Sequence, residues 1–199
     1  MKKVIIIQRA IPNYRLPLFR ALCADNEFEI TIGCADYDEG TSTGIPAENY
    51  SGVRQQPLKM YRIGRKLLFQ SIVSLKSYDL VILDTSTNLL SVPVYLFLCR
   101  IKGIPVIGWG KGVPQLLNVR ESWLKRTYKK LIISCCRCLI VYGRISKNYY
   151  NELGFSHKPM FIAQNSIDTN IFFENFESHK SASQSLREEL NLQDRFIFG

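Results

Sequence analysis

Short apolar runs alternate with stretches of helical spacing along most of this chain. Residues 4–7 (Val4-Ile5-Ile6-Ile7) are an unbroken β-branched run, the pattern of a strand covered on both faces of a parallel sheet. Residues 14–24 then set Leu16, Phe19, Ala21, Leu22 and Cys23 at roughly helical spacing, with Pro17 in the first turn, where its missing N–H is tolerated. Residues 28–34 alternate as a second strand. The spacing predicts helices over 64–76, 88–102, 121–135 and 146–153, and strands over 80–83, 104–107, 138–142 and 160–163. Gly103 and Gly154 stand where helices should stop. This order predicts an α/β fold: a Rossmann-like, doubly wound, mostly parallel sheet with helices on both faces and right-handed crossovers.

Two regions lack periodicity. Residues 35–57 are rich in Asp, Gly, Thr, Ser, Asn and Pro and read as one long loop, which at that length is functional or disordered. Residues 175–185 are polar and Ser-rich, with the character of an inter-domain linker, and precede a short helix over 185–192 and the apolar Phe196-Ile197-Phe198-Gly199. The expected organisation is a sheet domain over 1–173, a linker with a short helix over 174–194, and at 195–199 the first strand of a second domain. On that reading the chain is about half of a working protein.

Composition is that of a soluble globular protein: 199 residues, 46% hydrophobic and 22% charged. The apolar start breaks at Gln8-Arg9 with no small-residue cleavage site, so it does not read as a leader. The most apolar stretch, 89–99, contains Ser91 and Pro93 and is too short for the roughly 20 residues of a spanning helix. Six cysteines lack the spacing of a zinc site or a disulfide framework. Extended backbone at Cys135-Cys136-Arg137-Cys138 would point neighbouring thiols to opposite faces. No metal and no cofactor are expected, and reduced thiols suit the cytoplasm. With His157 and His179 as the two histidines, no Ser-His-Asp or Cys-His relay is arguable.

In open parallel sheets ligands bind at the carboxyl ends of strands. After the first strand, Arg9, Tyr14 and Arg15 lie near the start of the next helix and can hold an anion, the alternative being solvated surface charge. Neither a dinucleotide fingerprint nor a P-loop is present, which argues against ordinary dehydrogenases and ATPases. After 104–107 come Gly108-Trp109-Gly110-Lys111-Gly112. Gly110 and Gly112 let the backbone approach a ligand, Trp109 offers a face for sugar or base stacking, and Lys111 is the catalytic candidate, a cation able to meet phosphate or a developing anion. The alternative there is a tight turn with a buried Trp and an exposed Lys. Residues 84–88 (Asp84-Thr85-Ser86-Thr87-Asn88) read first as a helix cap, with Asp84 a weaker candidate base.

Asn165-Ser166-Ile167-Asp168-Thr169-Asn170-Ile171-Phe172 resembles the Asn-Gly-Val-Asp-Thr-x-x-Phe segment that closes the amino-terminal domain of family 4 glycosyltransferases. Pro12-x-Tyr14-Arg15, Tyr78-Asp79-Leu80-Val81-Ile82, Gly103-Ile104-Pro105-Val106-Ile107, Ile140-Val141-Tyr142, Tyr150-x-Glu152-x-Gly154 and Leu186-Arg187-Glu188-Glu189-Leu190 support it in order. The resemblance implies the acceptor-side half of a GT-B enzyme: metal-independent, retaining transfer from a nucleotide-sugar donor, held mainly by a second domain, to a glycan or lipid-linked acceptor in surface polysaccharide or lipopolysaccharide synthesis. It adds Asn165 to the substrate-binding candidates. Lys111 falls where many relatives have a histidine, Ser166 replaces the glycine, and Arg9-Ala10-Ile11-Pro12 replaces a glycine-rich loop, as in a polysaccharide-building subgroup.

Net charge is +9, and much of it lies between Arg120 and Lys158. On a helix, Lys125, Arg126, Lys129 and Lys130 share one face while Leu124, Tyr128, Leu131 and Cys135 share another, so the basic face is a candidate for anionic lipid at the inner face of a cytoplasmic membrane. The alternative is a solvated face on a core-packed helix. Nucleic acid is not an expected partner, because no recognised module accompanies the patch. Two other functions stay open: a non-catalytic acceptor- or membrane-binding module, and a GT-B-like epimerase that binds its nucleotide-sugar on this half.

Overall fold

The computed structural model of the chain describes residues 1–35, 50–65, 67–112, 121–192 and 195. It divides into two compact units, Met1–Asn165 and Ser166–Gly199.

The first unit is built on a seven-stranded sheet. Its strands are β1 (Lys2–Ile7), β2 (Phe28–Ala35), β3 (Gln55–Leu58), β6 (Leu80–Asp84), β7 (Val106–Gly110), β8 (Cys138–Val141) and β9 (Met160–Ile162), in the order β3-β2-β1-β6-β7-β8-β9. Every pairing in it is parallel. Helices α1 (Leu16–Ala24), α2 (Ser91–Lys102), α3 (Trp123–Ser134) and α4 (Arg144–Tyr150) form the crossovers. This is the expected doubly wound fold, with its direction of winding reversed between β1 and β6.

Two-sided burial explains why the strands were so legible. In β1, Val4 and Ile6 enter the layer capped by α1, with Phe19 and Ile32, while Ile5 and Ile7 enter the layer under α2 and α3, with Tyr95, Ile132 and Ile133. All four are almost fully buried. The same alternation governs β7. Trp109 points into the α1 layer, edge-on to Phe19 at 6.2 Å. Gly108 and Gly110 point to the other face, where a Cβ on Gly110 would lie 2.3 Å from Thr85 Oγ1 and one on Gly108 within about 3 Å of Leu139, Thr85 and Cys136.

Three expectations are corrected. Residues 64–76 are not helical: β4 (Met60–Ile63) and β5 (Leu67–Gln70) form an antiparallel hairpin, turning at Gly64 with φ of +64°. The strand expected at 104–107 is shifted to Val106–Gly110, because Pro105 and Ile104 precede the first sheet pairing and Gly108 to Gly110 still pair with β6 and β8. The polar stretch 175–185 is not a coil but lies inside a single helix, α5 (Thr169–Glu189), in the second unit. The anticipated loop at 35–57 falls for the most part, and the anticipated strand at 195–199 almost wholly, outside the described residues; the end of the former is β3.

Packing at β7 yields a direct test. Gly110→Ala should lower the unfolding free energy by about 2 kcal/mol, as overpacking does, measured by urea denaturation; an unchanged midpoint would show that Thr85 yields freely.

Candidate functional site

An open cavity of about 680 Å³ lies across the carboxyl ends of the strands, at the point where the winding reverses. Five strand ends supply its walls. Gln8, Arg9, Tyr14 and Arg15 come from the segment after β1, Asp84 and Ser86 from β6, Gly110 and Lys111 from β7, Tyr142 from β8, and Gln164 and Asn165 from the segment after β9.

Arg15 is the hub. The chain makes a single 3₁₀ turn at Asn13–Arg15 before α1, which drives the Arg15 side chain inward until it is 7% exposed. Its guanidinium donates to Gln8 Oε1 at 3.3 Å, to Asn165 Oδ1 at 2.8 Å and to the Tyr142 hydroxyl. It lies over the rings of Tyr142 and Trp109, 5.0 and 5.2 Å from their centroids, with Tyr14 at 5.7 Å. Ring faces attract a desolvated cation, which offsets part of its burial cost. Among the described residues no carboxylate lies within ion-pair distance of it.

Asp84 is the acidic group of the cavity wall. Its Oδ1 accepts from the Ser86 backbone N–H at 2.9 Å and from Ser86 Oγ at 2.6 Å. Burial pushes its carboxyl above the ordinary carboxylate range, against the pull of the Ser86 hydrogen bonds and the charges of Arg15 and Arg9. Burial likewise raises the Tyr142 phenol, opposed by its hydrogen bond from Arg15.

The segment after β1 is fastened from below. Gln70, fully buried at the end of β5, donates its amide to the Gln8 carbonyl at 2.7 Å and to the Arg9 carbonyl at 3.4 Å. Taking 64–76 as helical hid this residue. Tyr142 and Gln8 were likewise not singled out from the sequence, although both are polar residues directly following apolar strands.

The predicted site residues therefore separate. Arg9, Tyr14, Arg15, Gly110, Lys111 and Asn165 share one cavity, with Lys111 exposed at its rim. Trp109 does not line it: the indole is 6% exposed inside the α1 layer and serves as a wall against Arg15 rather than as an open stacking face. Gly112 has φ of +75°, and a Cβ there would sit 2.7 Å from the Tyr150 ring, so glycine is required by packing within the protein.

Lys129 is also misplaced by the helical reading. Rather than joining an exposed basic face with Lys125, Arg126 and Lys130, it is buried, donating to Glu121 Oε1 at 2.7 Å, the Gly112 carbonyl at 2.6 Å and the Tyr149 hydroxyl at 2.8 Å. Tyr149 in turn donates to Glu121. The core-facing stripe of α3 is Lys129, Ile132 and Ile133, and Leu124 and Leu131 face outward. Burial alone would raise the Glu121 carboxyl, yet the hydrogen bonds from Lys129 and Tyr149 and the neighbouring lysine charges hold it below its usual range. This knot ties the Gly112 backbone, next to Lys111, to the start of α3. Among the described residues no group of three His, Cys, Asp or Glu side chains converges as a metal site.

Comparison with known proteins adds the fold's relatives. The sequence matches no protein-family model and no curated protein. Solved structures do match. HepE of Anabaena, in complex with UDP, superposes with a TM-score of 0.56 at 13% identity, over 92% of this chain and 50% of that one. UDP-GlcNAc 2-epimerase of Neisseria meningitidis, bound to UDP-GlcNAc, superposes with a TM-score of 0.55 at 12% identity, over 98% of this chain and 55% of that one. The likeness is one of fold. The chain spans about half the length of each.

Breaking the buried knot should be costly. Lys129→Met leaves the Glu121 carboxylate and the Gly112 carbonyl without their cation and should destabilise the protein by about 3–5 kcal/mol in urea titrations, with much of the loss recovered in Lys129→Met/Glu121→Leu. Because the Glu121 carboxyl is held below its unfolded value, its contribution is present above the ordinary carboxylate range and lost as pH falls through the folded value. Glu121→Gln should therefore flatten the acid limb of stability against pH, and an unaltered limb would contradict the assignment.

Proposed function

We propose that the chain is the acceptor-side half of a glycosyltransferase of the family 4 type. It would move a sugar from a nucleotide-sugar donor to a glycan or lipid-linked acceptor in surface polysaccharide or lipopolysaccharide synthesis, with retention and without a metal. The carrying observation is the cavity: open, placed at the winding reversal, and lined among the described residues by Arg9, Arg15 and Lys111 against the one carboxyl of Asp84. A wide polar trough fits a glycan, and its positive field favours an acceptor bearing phosphate. The fold likeness to about half of HepE, whose structure holds UDP, supports a nucleotide-sugar as the donor, and the reading assigns that donor mainly to a second domain. Arg15, fixed by its three acceptors, orients the ligand; Lys111, exposed at the rim, neutralises charge that develops during transfer. A peripheral position at the inner face of the cytoplasmic membrane completes the reading for a lipid-linked acceptor.

One observation favours a second reading. Asp84 combines raised proton affinity with a place on the cavity wall, as proton exchange at a sugar carbon requires, and an epimerase shares the fold over 98% of the chain. The two readings differ in what this half binds. Titration calorimetry of the chain with a panel of nucleotide-sugars should give no heat of binding if the donor site lies on another domain; saturable binding would favour the epimerase. In a protein carrying both halves, Lys111→Ala should lower turnover about 100-fold with an unchanged melting temperature. Unchanged turnover would remove Lys111 from the mechanism.

A further inference from the structure

A second opening, of about 390 Å³, lies at the amino ends of the strands, by Val106 at the start of β7 and Arg137 just before β8. Cys99, Cys135 and Cys136 line it together with Arg100 and Arg137. Among the described residues no carboxylate does. The strand-end cavity holds Gly110, the last residue of β7, so the two openings stand at opposite ends of one strand.

The three thiols differ in access. Cys99 and Cys136 are each 1% exposed, and burial pushes them up to about 11 and about 12, so both stay protonated and unreactive. Cys135 is exposed. It caps the carboxyl end of α3 on a turn that is firmly held: its N–H donates to the Ile132 carbonyl at 3.2 Å, the Cys136 N–H to Ile133 at 3.1 Å and the Arg137 N–H to Val106 at 2.8 Å. The Lys158 ammonium donates to the Ser134 carbonyl at 3.3 Å and to the Cys136 carbonyl, on either side of Cys135. That cation offsets the negative end of the α3 dipole, which would otherwise repel an anion. A fixed, accessible thiol thus shares an opening with two guanidinium groups, which pair with carboxylates.

We propose that Cys135 is a modification site that takes up one half of a small, carboxylate-bearing disulfide, with Arg100 and Arg137 receiving the carboxylates. The Cys135 thiol releases its proton to solvent and its sulfur attacks one sulfur of the disulfide. A new S–S bond forms at Cys135, the reagent's S–S bond breaks, and its electron pair leaves on the departing thiolate, which takes up a proton from solvent. Cys135 is oxidised and the departing half reduced, so the disulfide is the only oxidant required. The adduct persists, because the thiols beside it are poor attackers. Closure onto Cys136 is also opposed by geometry: neighbouring Cα atoms stand about 3.8 Å apart, short of the roughly 4.4–6.8 Å of ordinary disulfides. The site does not depend on the proposed transfer reaction.

The test is reaction of the reduced chain with oxidised glutathione, followed by intact mass and peptide mapping. One glutathionyl group is expected, on Cys135, and none in Cys135→Ser. Added salt should slow the parent's reaction. The combined Arg100→Gln and Arg137→Gln variant should react about tenfold more slowly with oxidised glutathione and faster with cystamine, a cationic disulfide. All three substituted side chains are exposed, so the variants should melt as the parent does; the salt dependence reads the same charge effect in the parent alone. No adduct, an adduct formed as fast on another cysteine, or an intramolecular disulfide in its place overturns the proposal. So do rates with oxidised glutathione that neither salt nor the double substitution changes.

Discussion

A buried guanidinium organises the first unit of this chain. Arg15 reaches from the turn before α1 to Gln8 after β1, Tyr142 after β8 and Asn165 after β9, and rests on Trp109 of β7. Those attachments span the sheet from its middle toward its edge. A charge so placed is stable only while its acceptors and ring faces stay together, so it fixes the spacing of the strand ends that form the cavity. The Gln70 amide does the same from beneath, holding the carbonyls of Gln8 and Arg9.

A second polar knot, Lys129 with Glu121, Tyr149 and the Gly112 carbonyl, holds the backbone next to Lys111. The two assemblies work on different parts of the cavity: Arg15 is itself a wall, whereas Lys129 acts through the backbone that carries Lys111. Both are embedded in a structure whose glycines at 108, 110 and 112 leave room for Thr85, Cys136 and Tyr150. Cavity shape thus follows from packing on both sides of β7, with charge supplied by buried Arg15 in the wall and exposed Lys111 at the rim.

The order of strands and helices was readable because strands buried on both faces carry continuous apolar runs, as at Val4 to Ile7 and Leu80 to Leu83. Most of the cavity was readable too, since strand ends in a parallel sheet converge and Arg9, Arg15 and Lys111 stand there. What the sequence concealed came from longer-range pairing. Residues 64–76 imitate helical spacing until Met60 to Ile63 is found opposite Leu67 to Gln70 in the hairpin. Helix α3 carries two apolar stripes, and Lys129 in one of them argues for the other until Glu121 and Tyr149 supply its buried partners. Trp109 looked like an open stacking face because the strand was ended too early; two more residues of β7 turn it into the α1 layer.

A desolvated, multiply bonded Arg15 holds the strand-end cavity in shape. Transfer of sugar to acceptor by a protein carrying both halves, compared between the parent and Arg15→Lys, tests this most directly, because lysine keeps the charge and loses the planar fan of donors. The account predicts a fall in kcat/KM of about 100-fold, with the variant still folded by circular dichroism. Parental activity in Arg15→Lys would contradict it.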